Sequence, residues 1–361
     1  MAKKKKVAIL YGGRSVEHGV SVNSARNIYE YIDKKKFEPV AIGISTKGRW
    51  YLTENVSKDI EKGEALSLVL DPVKPGFMTL KSNKRFEVDV IFPVLHGTDG
   101  EDGSIQGMIK AMDIPMVGTS VLGSSMAMNK IVAKRLLKEA GLPVTDFMTF
   151  RYDEKDKITF NAIAKKLGTP FMLKSASLGS SVGVSKVKTK NDFRNAVEEA
   201  FKYDDEMIAE KYVSGREIEC AILGNYPPEA SYPGEVVISK NYEFYTFDAK
   251  YVDPEAVRID VPAKLPKAIA EKIRKASVKA FEALHCEDFS RIDLFLDTKG
   301  NIYINEINSI PGFTNSSMYP VMWKERGISF PDLITRLLDL AQERYDRSKR
   351  IERGFQSGLK F

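Results

Sequence analysis

The sequence predicts an α/β protein, with a parallel sheet in its N-terminal part and further strand-rich units after it. Three observations predict this class. Apolar strands alternate with helical stretches from VAILY at 7–11 to VDVIFPVLHG at 88–97. A glycine- and serine-rich loop at 174–184 (KSASLGSSVGV) separates two short apolar strands. RIDLFL, DTKG and NIYINEIN at 291–308 read as strand, turn and return strand of a β-hairpin.

The chain of 361 residues has room for about two or three domains. Its 43% apolar and 29% charged content is that of a soluble globular protein. The net charge of +6 comes from 55 basic against 49 acidic residues, part of it the Lys3–Lys6 run. No basic stretch is interleaved with aromatics, so nucleic acid is not an expected partner. The lysines before VAIL imitate a signal peptide, but the apolar run stops at Tyr11-Gly12-Gly13. No window has the long uncharged run of a membrane helix, and the expectation is a cytoplasmic protein. Cys220 and Cys286 show no metal or redox spacing and are expected as small buried apolar residues.

In chain order, VAILY ends at Gly12-Gly13 and SVNSARNIYEYI follows as a helix. Strands follow at 40–46 and 88–97, giving a parallel α/β unit. Residues 53–85, with turn signals at Asp71-Pro72 and Pro75-Gly76, read as an elaborated connection. MNKIVAKRLLKEAG at 128–141 has helical spacing and ends at Gly141 and Pro143. FMLK at 171–174, VGVSKV at 182–187, a helix through DFRNAVEEAFKY and the strand MIAEKYV make a second unit. REIECAI at 216–222 opens a third, which includes the hairpin and helices at 265–284 and 330–345.

Four places carry candidate chemistry. On the hairpin, pairing Asp297 with Gly300 sets Arg291 opposite Glu306 and puts Asp293, Glu306 and Asn308 on one face. Two carboxylates about 4 Å apart repel by roughly 4 kcal/mol at an effective dielectric near 20, and a hard cation such as Mg²⁺ relieves this. The competing reading is a solvated polar face; Phe295, Ile302 and Ile304, placed on that same face, argue for burial instead. The loop around Gly179, Ser180, Ser181 and Gly183 lacks the context of a Walker A or Rossmann motif, and alone is equally a flexible hairpin. Lys174 entering it and Lys130 on the preceding helix favour triphosphate binding. Glu17 lies between a strand end and a helix start, where it can hold a substrate ammonium or simply favour the helix N-terminus; the loop alone does not decide. His96, in LHGTDGEDG, is a better site candidate than His18, while His285 beside Cys286 reads as structural.

Taken together, GGRSVEHGVS, LHGTDGEDG, MNK, GSSVGVSKV, EKYVSGRE, AKY, RIDLFL and NEINSIPGFTNSSMYP closely resemble the D-alanine–D-alanine ligases of the ATP-grasp superfamily, from about Val7 to about Ala341. The resemblance implies an N-terminal α/β domain (1–120), then a two-part ATP-grasp fold, central (121–213) and C-terminal (214–361). It implies ATP and Mg²⁺ as cofactors, usually two ions, with Mn²⁺ able to substitute. Lys130, Lys174, Ser180 and Ser181 match phosphate contacts, Glu210, Lys211 and Val213 the adenine pocket, and Glu217 the ribose contact. Asp293, Glu306 and Asn308 match the magnesium ligands, in agreement with the face argument.

The implied reaction phosphorylates the carboxylate of one D-alanine, and the amine of a second attacks the acyl phosphate, for peptidoglycan synthesis. By the same resemblance Glu17 binds the first ammonium, and Glu17, Ser180 and Tyr251 form a hydrogen-bonded group. Arg291 and the N–H of Gly312 stabilise the oxyanion, Lys250 assists the phosphate, and Ser317 with Lys250 holds the second carboxylate. Residues 240–256 match a mobile loop, and a homodimer is usual. Tyr251 and Met318 favour D-alanine as second substrate over D-lactate; related ligases making D-Ala-D-Lac or D-Ala-D-Ser are the alternative. One departure is Ser175, where many relatives have proline, expected to loosen the loop entrance without abolishing activity.

Overall fold

A computed structural model describes residues 3–239, 256–352 and 354. The N-terminal sheet holds β1 (Lys5–Gly12), β2 (Phe37–Ile44), β3 (Trp50–Thr53), β4 (Glu64–Val69), β5 (Gly76–Thr79), β6 (Arg85–Phe86) and β7 (Val90–Pro93), ordered β6-β5-β4-β3-β2-β1-β7. β1 pairs in parallel with both β2 and β7, and α1 (His18–Tyr31) makes the crossover from β1 to β2. Covered on both faces, β1 is continuously apolar from Val7 to Tyr11, all wholly buried.

Residues 53–85 are not the irregular connection their composition predicts. They run antiparallel as β3 to β6 and extend the sheet. Packing holds this extension: Phe77 is wholly buried, with ring centroids 6.5 Å from Trp50 and 5.6 Å from Phe86. α2 (Ser104–Met112) follows β7 and covers the same side through Ile109 and Met112.

The helix expected over 128–141 is α4 (Lys130–Glu139), and a further helix, α3 (Val121–Met128), precedes it. Asn129 breaks the run in extended backbone, and its side chain accepts from the N–H groups of Ile131 and Val132 as the cap of α4. The second sheet is antiparallel, ordered β10-β9-β11-β8, from β8 (Phe147–Arg151), β9 (Phe171–Ser175), β10 (Val184–Val187) and β11 (Glu206–Lys211). α5 (Phe160–Leu167) and α6 (Lys190–Phe201) pack on it through Ile163, Phe193 and Phe201.

The third sheet is ordered β15-β14-β12-β16-β17, from β12 (Gly215–Leu223), β14 (Gly234–Ile238), β15 (Val257–Asp260), β16 (Phe289–Asp297) and β17 (Ile302–Asn308), with β13 (Glu229–Ala230) beside β12. One face packs α7 (Lys267–Ala283) together with α3 and α4, burying Leu137, Phe281, Ile292, Leu294 and Ile304. The other packs α8 (Met318–Glu325) and α9 (Phe330–Ser348) in a core continuous with Val7, Ile9 and Tyr11. Arg344 of α9 ties the units together. Its guanidinium donates to Met116 O and Gly118 O, both at 2.7 Å, and pairs with the wholly buried Asp288 at 2.9 Å. Cys220 and Cys286 are buried free thiols, and burial pushes them up to about 11 and 12, so both stay protonated and unreactive.

Candidate active site

The hairpin that carries the candidate cation ligands departs from its expected register twice. Asp297 pairs with Asn301 rather than Gly300, so the turn is one residue longer. A bulge between Asp293 and Leu294 then shifts β17 by one more residue. Arg291 therefore lies opposite Asn308, not Glu306, and Asp293 lies opposite Glu306. Each one-residue shift exchanges the faces of β17. After the first, Ile302 and Ile304 point with Leu294 and Leu296 into the core, not to the polar face as expected. The bulge then restores Glu306 and Asn308 to the face of Asp293.

Two cavities meet at this hairpin. The first, about 360 Å³, lies between the second and third sheets and is lined by Lys130, Lys174, Ser181, Glu210, Lys211, Val213, Glu217, Asp293 and Glu306. Its charged wall is ordered: Glu210 accepts from Lys134 at 2.6 Å on one oxygen and from Lys174 at 2.5 Å on the other. Burial alone would raise the Glu210 carboxyl, but Lys134 and Lys174 outweigh it and hold the group at about 2. For Lys174, burial opposes the charge, while Glu210 and Glu306 more than offset this and hold its pKa above the ordinary lysine value. Lys130 donates to Leu178 O at 2.7 Å and lies 3.4 Å from Glu306.

The second cavity, about 570 Å³, lies between the N-terminal and third sheets and is lined by Glu17, His96, Glu101, Ser180, Arg291, Glu306, Asn308, Gly312, Ser317 and Met318. Glu306 lines both cavities. Glu17 begins α1; one carboxylate oxygen accepts from the Ser180 hydroxyl, while among the described residues Oε2 is buried without a hydrogen-bond partner. Glycine is required around it. A Cβ on Gly97, whose φ is +76°, would lie 2.5 Å from that oxygen. Arg291 grips Asp293 through Nε and Nη2, both at 2.7 Å, and lies 2.9 Å from Glu219. Ser317 precedes α8 and its hydroxyl accepts from Thr314 N at 3.1 Å; Met318 is a buried apolar wall.

His96 and Glu101 hold the peptide of Ile310 from both sides. His96 Nδ1 is 2.9 Å from Ile310 O with Nε2 3.1 Å from Ser24 Oγ, and Ile310 N donates to Glu101 at 3.0 Å. Burial lowers the His96 pKa, so the ring is neutral and its Nδ1–H is the donor to Ile310. Burial, and next the charge of Glu17, push Glu101 up to about 8. An acid raised on folding loses stability as pH rises, here between its unfolded value of 4.5 and about 8. Glu101→Gln is expected to flatten the fall in melting temperature across that window, and a fall as steep as in the parent would remove the assignment.

The phosphate-type loop is more constrained than its composition implies. Ser180 and Ser181 take left-handed backbone at φ +52° and +59°, a strain that non-glycine residues carry at ligand-binding turns. Ser175, in place of proline, is wholly buried; its hydroxyl donates to Ala200 O at 2.7 Å and its N–H to Gly183 O at 3.3 Å. It fastens the loop entrance rather than loosening it. Ser175→Ala is expected to cost about 1 kcal/mol of stability, read by chemical denaturation, because Ala200 O loses its donor; no change would refute the fastening role.

Lys250, Tyr251 and the 240–255 stretch lie outside the described residues. Lys134, Glu101 and Glu219 were missed. Lys130, Lys134 and Leu137 share the buried stripe of α4, so two lysines on an otherwise apolar face were the available signal. Among the described residues no three His, Cys, Asp or Glu side chains group as a metal site. Asp293, Glu306 and the amide of Asn308 form a mixed set of oxygen donors, which suits a hard divalent cation that also takes water and phosphate oxygens. Asn308 Nδ2 donates to Asp293 at 3.0 Å, which leaves its Oδ1 as the atom to offer a cation.

Comparison with known proteins gives the same outline. A family model described as "D-ala D-ala ligase N-terminus" matches residues 6–119, and "D-ala D-ala ligase C-terminus" matches 136–339. The D-alanine--D-alanine ligase of Shouchella clausii is 42% identical, covering 97% of this chain and 98% of its own. The solved D-alanine-D-alanine ligase from Coxiella burnetii superposes with a TM-score of 0.86 at 34% identity over 97% of each chain. The VanG D-Ala:D-Ser ligase of Enterococcus faecalis superposes at 0.84 with 34% identity, over 94% of this chain and 100% of its own.

Proposed function

Since the chain belongs to the D-alanine–D-alanine ligase family, an enzyme family with the ATP-grasp fold, we propose that the hairpin face joins its two half-reactions. The chain uses ATP to join two D-alanines for cell-wall synthesis. The observation that carries the proposed mechanism is Glu306, a wall of both the lysine-lined cavity and the one lined by Glu17, Arg291 and Ser317. ATP lies in the first with its γ-phosphate towards the hairpin, and the first D-alanine lies in the second with its carboxylate at the same edge.

Lys130 and Lys174 bind the phosphates, with the turn at Ser180 and Ser181 closing over them. Lys211 and Val213 line the adenine side and Glu217 the ribose. Asp293, Glu306 and Asn308 hold magnesium, which when bound screens the phosphate charges. Among the described residues Glu17 Oε2 is a buried carboxylate oxygen lacking a donor, and the ammonium of the first D-alanine supplies one. A carboxylate oxygen of that D-alanine attacks the γ-phosphorus; the P–O bond to ADP breaks and an acyl phosphate forms. The amine of the second D-alanine, having lost a proton, attacks the acyl carbon. Arg291 and Gly312 N–H stabilise the tetrahedral oxyanion, the C–N bond forms, and phosphate leaves. Ser317 holds the second carboxylate; Lys250, expected beside it, and Tyr251, expected beside Glu17 and Ser180, lie outside the described residues.

The three parts, 1–120, 121–213 and 214–361, act as substrate, nucleotide-clamping and metal-bearing units, with α4 packed into the core of the last. A cytoplasmic homodimer completes the reading. The likeness to a D-Ala:D-Ser ligase makes product identity the deciding assay. With D-alanine, Mg-ATP and either D-serine or D-lactate present, mass spectrometry is expected to find D-alanyl-D-alanine dominant at neutral pH. A dominant mixed product would overturn the substrate assignment, and no D-alanine-dependent phosphate release would overturn the mechanism.

A further inference from the structure

Lys134 lies outside the lining of both cavities, yet it is 1% exposed and its ammonium is fully engaged in the wall behind the first. It sits 2.6 Å from Glu210 Oε1, 3.3 Å from Thr145 Oγ1 and 3.5 Å from Ile304 O. Its partner Glu210 is 3% exposed and gives its other oxygen, Oε2, to Lys174 at 2.5 Å. Lys174 also donates to Asn305 Oδ1 at 3.0 Å. An ammonium has three N–H donors, so these contacts leave one for a ligand in the cavity that Lys174 lines. The carboxylate thus stands between a lysine facing the nucleotide cavity and one facing away from it.

We propose that Lys134 is a positioning residue for nucleotide binding: it holds one oxygen of Glu210, so that the other can aim Lys174 without drawing it out of the cavity. The inference rests on the reading of this cavity as the ATP site. The ion pairs support it: Lys134 and Lys174 share the two oxygens of Glu210, so Lys174 is not alone in neutralising that buried carboxylate, while Lys130 faces Glu306. Without Lys134, Glu210 Oε1 loses its ion-pair partner in a dry wall, and the nearest remaining cation is Lys174. Oε1 then keeps only the Thr145 hydroxyl at 3.5 Å, and both oxygens compete with phosphate for a single ammonium.

The test compares the full-length parent with Lys134→Met, Glu210→Gln and the double variant, measuring initial rates against ATP and against D-alanine separately. Saturation of the parent by ATP tests the site reading itself; its absence would refute that reading before any variant is compared. With the parent saturable, Lys134→Met is expected to raise KM for ATP by about tenfold or more and leave KM for D-alanine within about twofold. A merely structural role would lower kcat through the active fraction and leave KM for ATP in place. The double variant is expected to be no worse than Glu210→Gln alone, because the two residues act through one contact. It also keeps the test decisive if Lys134→Met does not fold, since it leaves no lone buried carboxylate behind. Multiplying single effects in the double variant, or an unchanged KM for ATP in Lys134→Met, would overturn the proposal.

Discussion

Glu306→Gln is expected to lower kcat by roughly a thousandfold at saturating magnesium and substrates, with little loss of thermal stability. Glu306 is a shared wall of both cavities, lies directly opposite Asp293 and is 3.4 Å from Lys130. The amide keeps the shape but removes the charge with which this edge would hold a divalent cation in the proposed mechanism. Loss of charge where phosphate and carboxylate must meet raises the barrier to phosphoryl transfer more than it weakens binding. Glu306 is partly exposed, so the fold does not depend on it. Turnover within a factor of a few of the parent would remove the hairpin from the chemistry.

Glu17→Gln is expected to raise KM for the first D-alanine by about a hundredfold, the penalty for losing a buried charge partner. The melting temperature of the ligand-free protein should hold or rise. Glu17 is 6% exposed, and among the described residues its Oε2 has no hydrogen-bond donor, an oxygen that the substrate ammonium satisfies in the proposed mechanism. Calorimetry and initial rates on one preparation read both effects. An unchanged KM, or a melting temperature that falls with activity, would make Glu17 a structural group instead.

Much of this was legible in sequence, for identifiable reasons. Parallel strands buried on both faces are continuous apolar runs, so β1, β2 and β7 stood out. Strands held by tertiary aromatic contacts, such as β5 through Phe77, leave no such pattern and passed for a connection. That Asp293, Glu306 and Asn308 share one face was read correctly although the register was not. A longer turn and a bulge each moved β17 by one residue, and the second move undid the first for Glu306 and Asn308 but not for Ile302 and Ile304. A bulge is set by how the two strands pack, which the hairpin's own residues do not announce. Lys134 and Glu101 escaped because neither gains meaning until a partner distant in sequence is known: Glu210 for one, Ile310 for the other.

The meeting of two cavities at one carboxylate has a direct chemical consequence. If the first D-alanine's carboxylate attacks the γ-phosphorus, one of its oxygens must leave with phosphate. Turnover of D-alanine labelled with ¹⁸O in both carboxylate oxygens, followed by mass analysis of the inorganic phosphate, reads that transfer. The account predicts one ¹⁸O in each phosphate released during dipeptide formation. Dipeptide formed with unlabelled phosphate would contradict it.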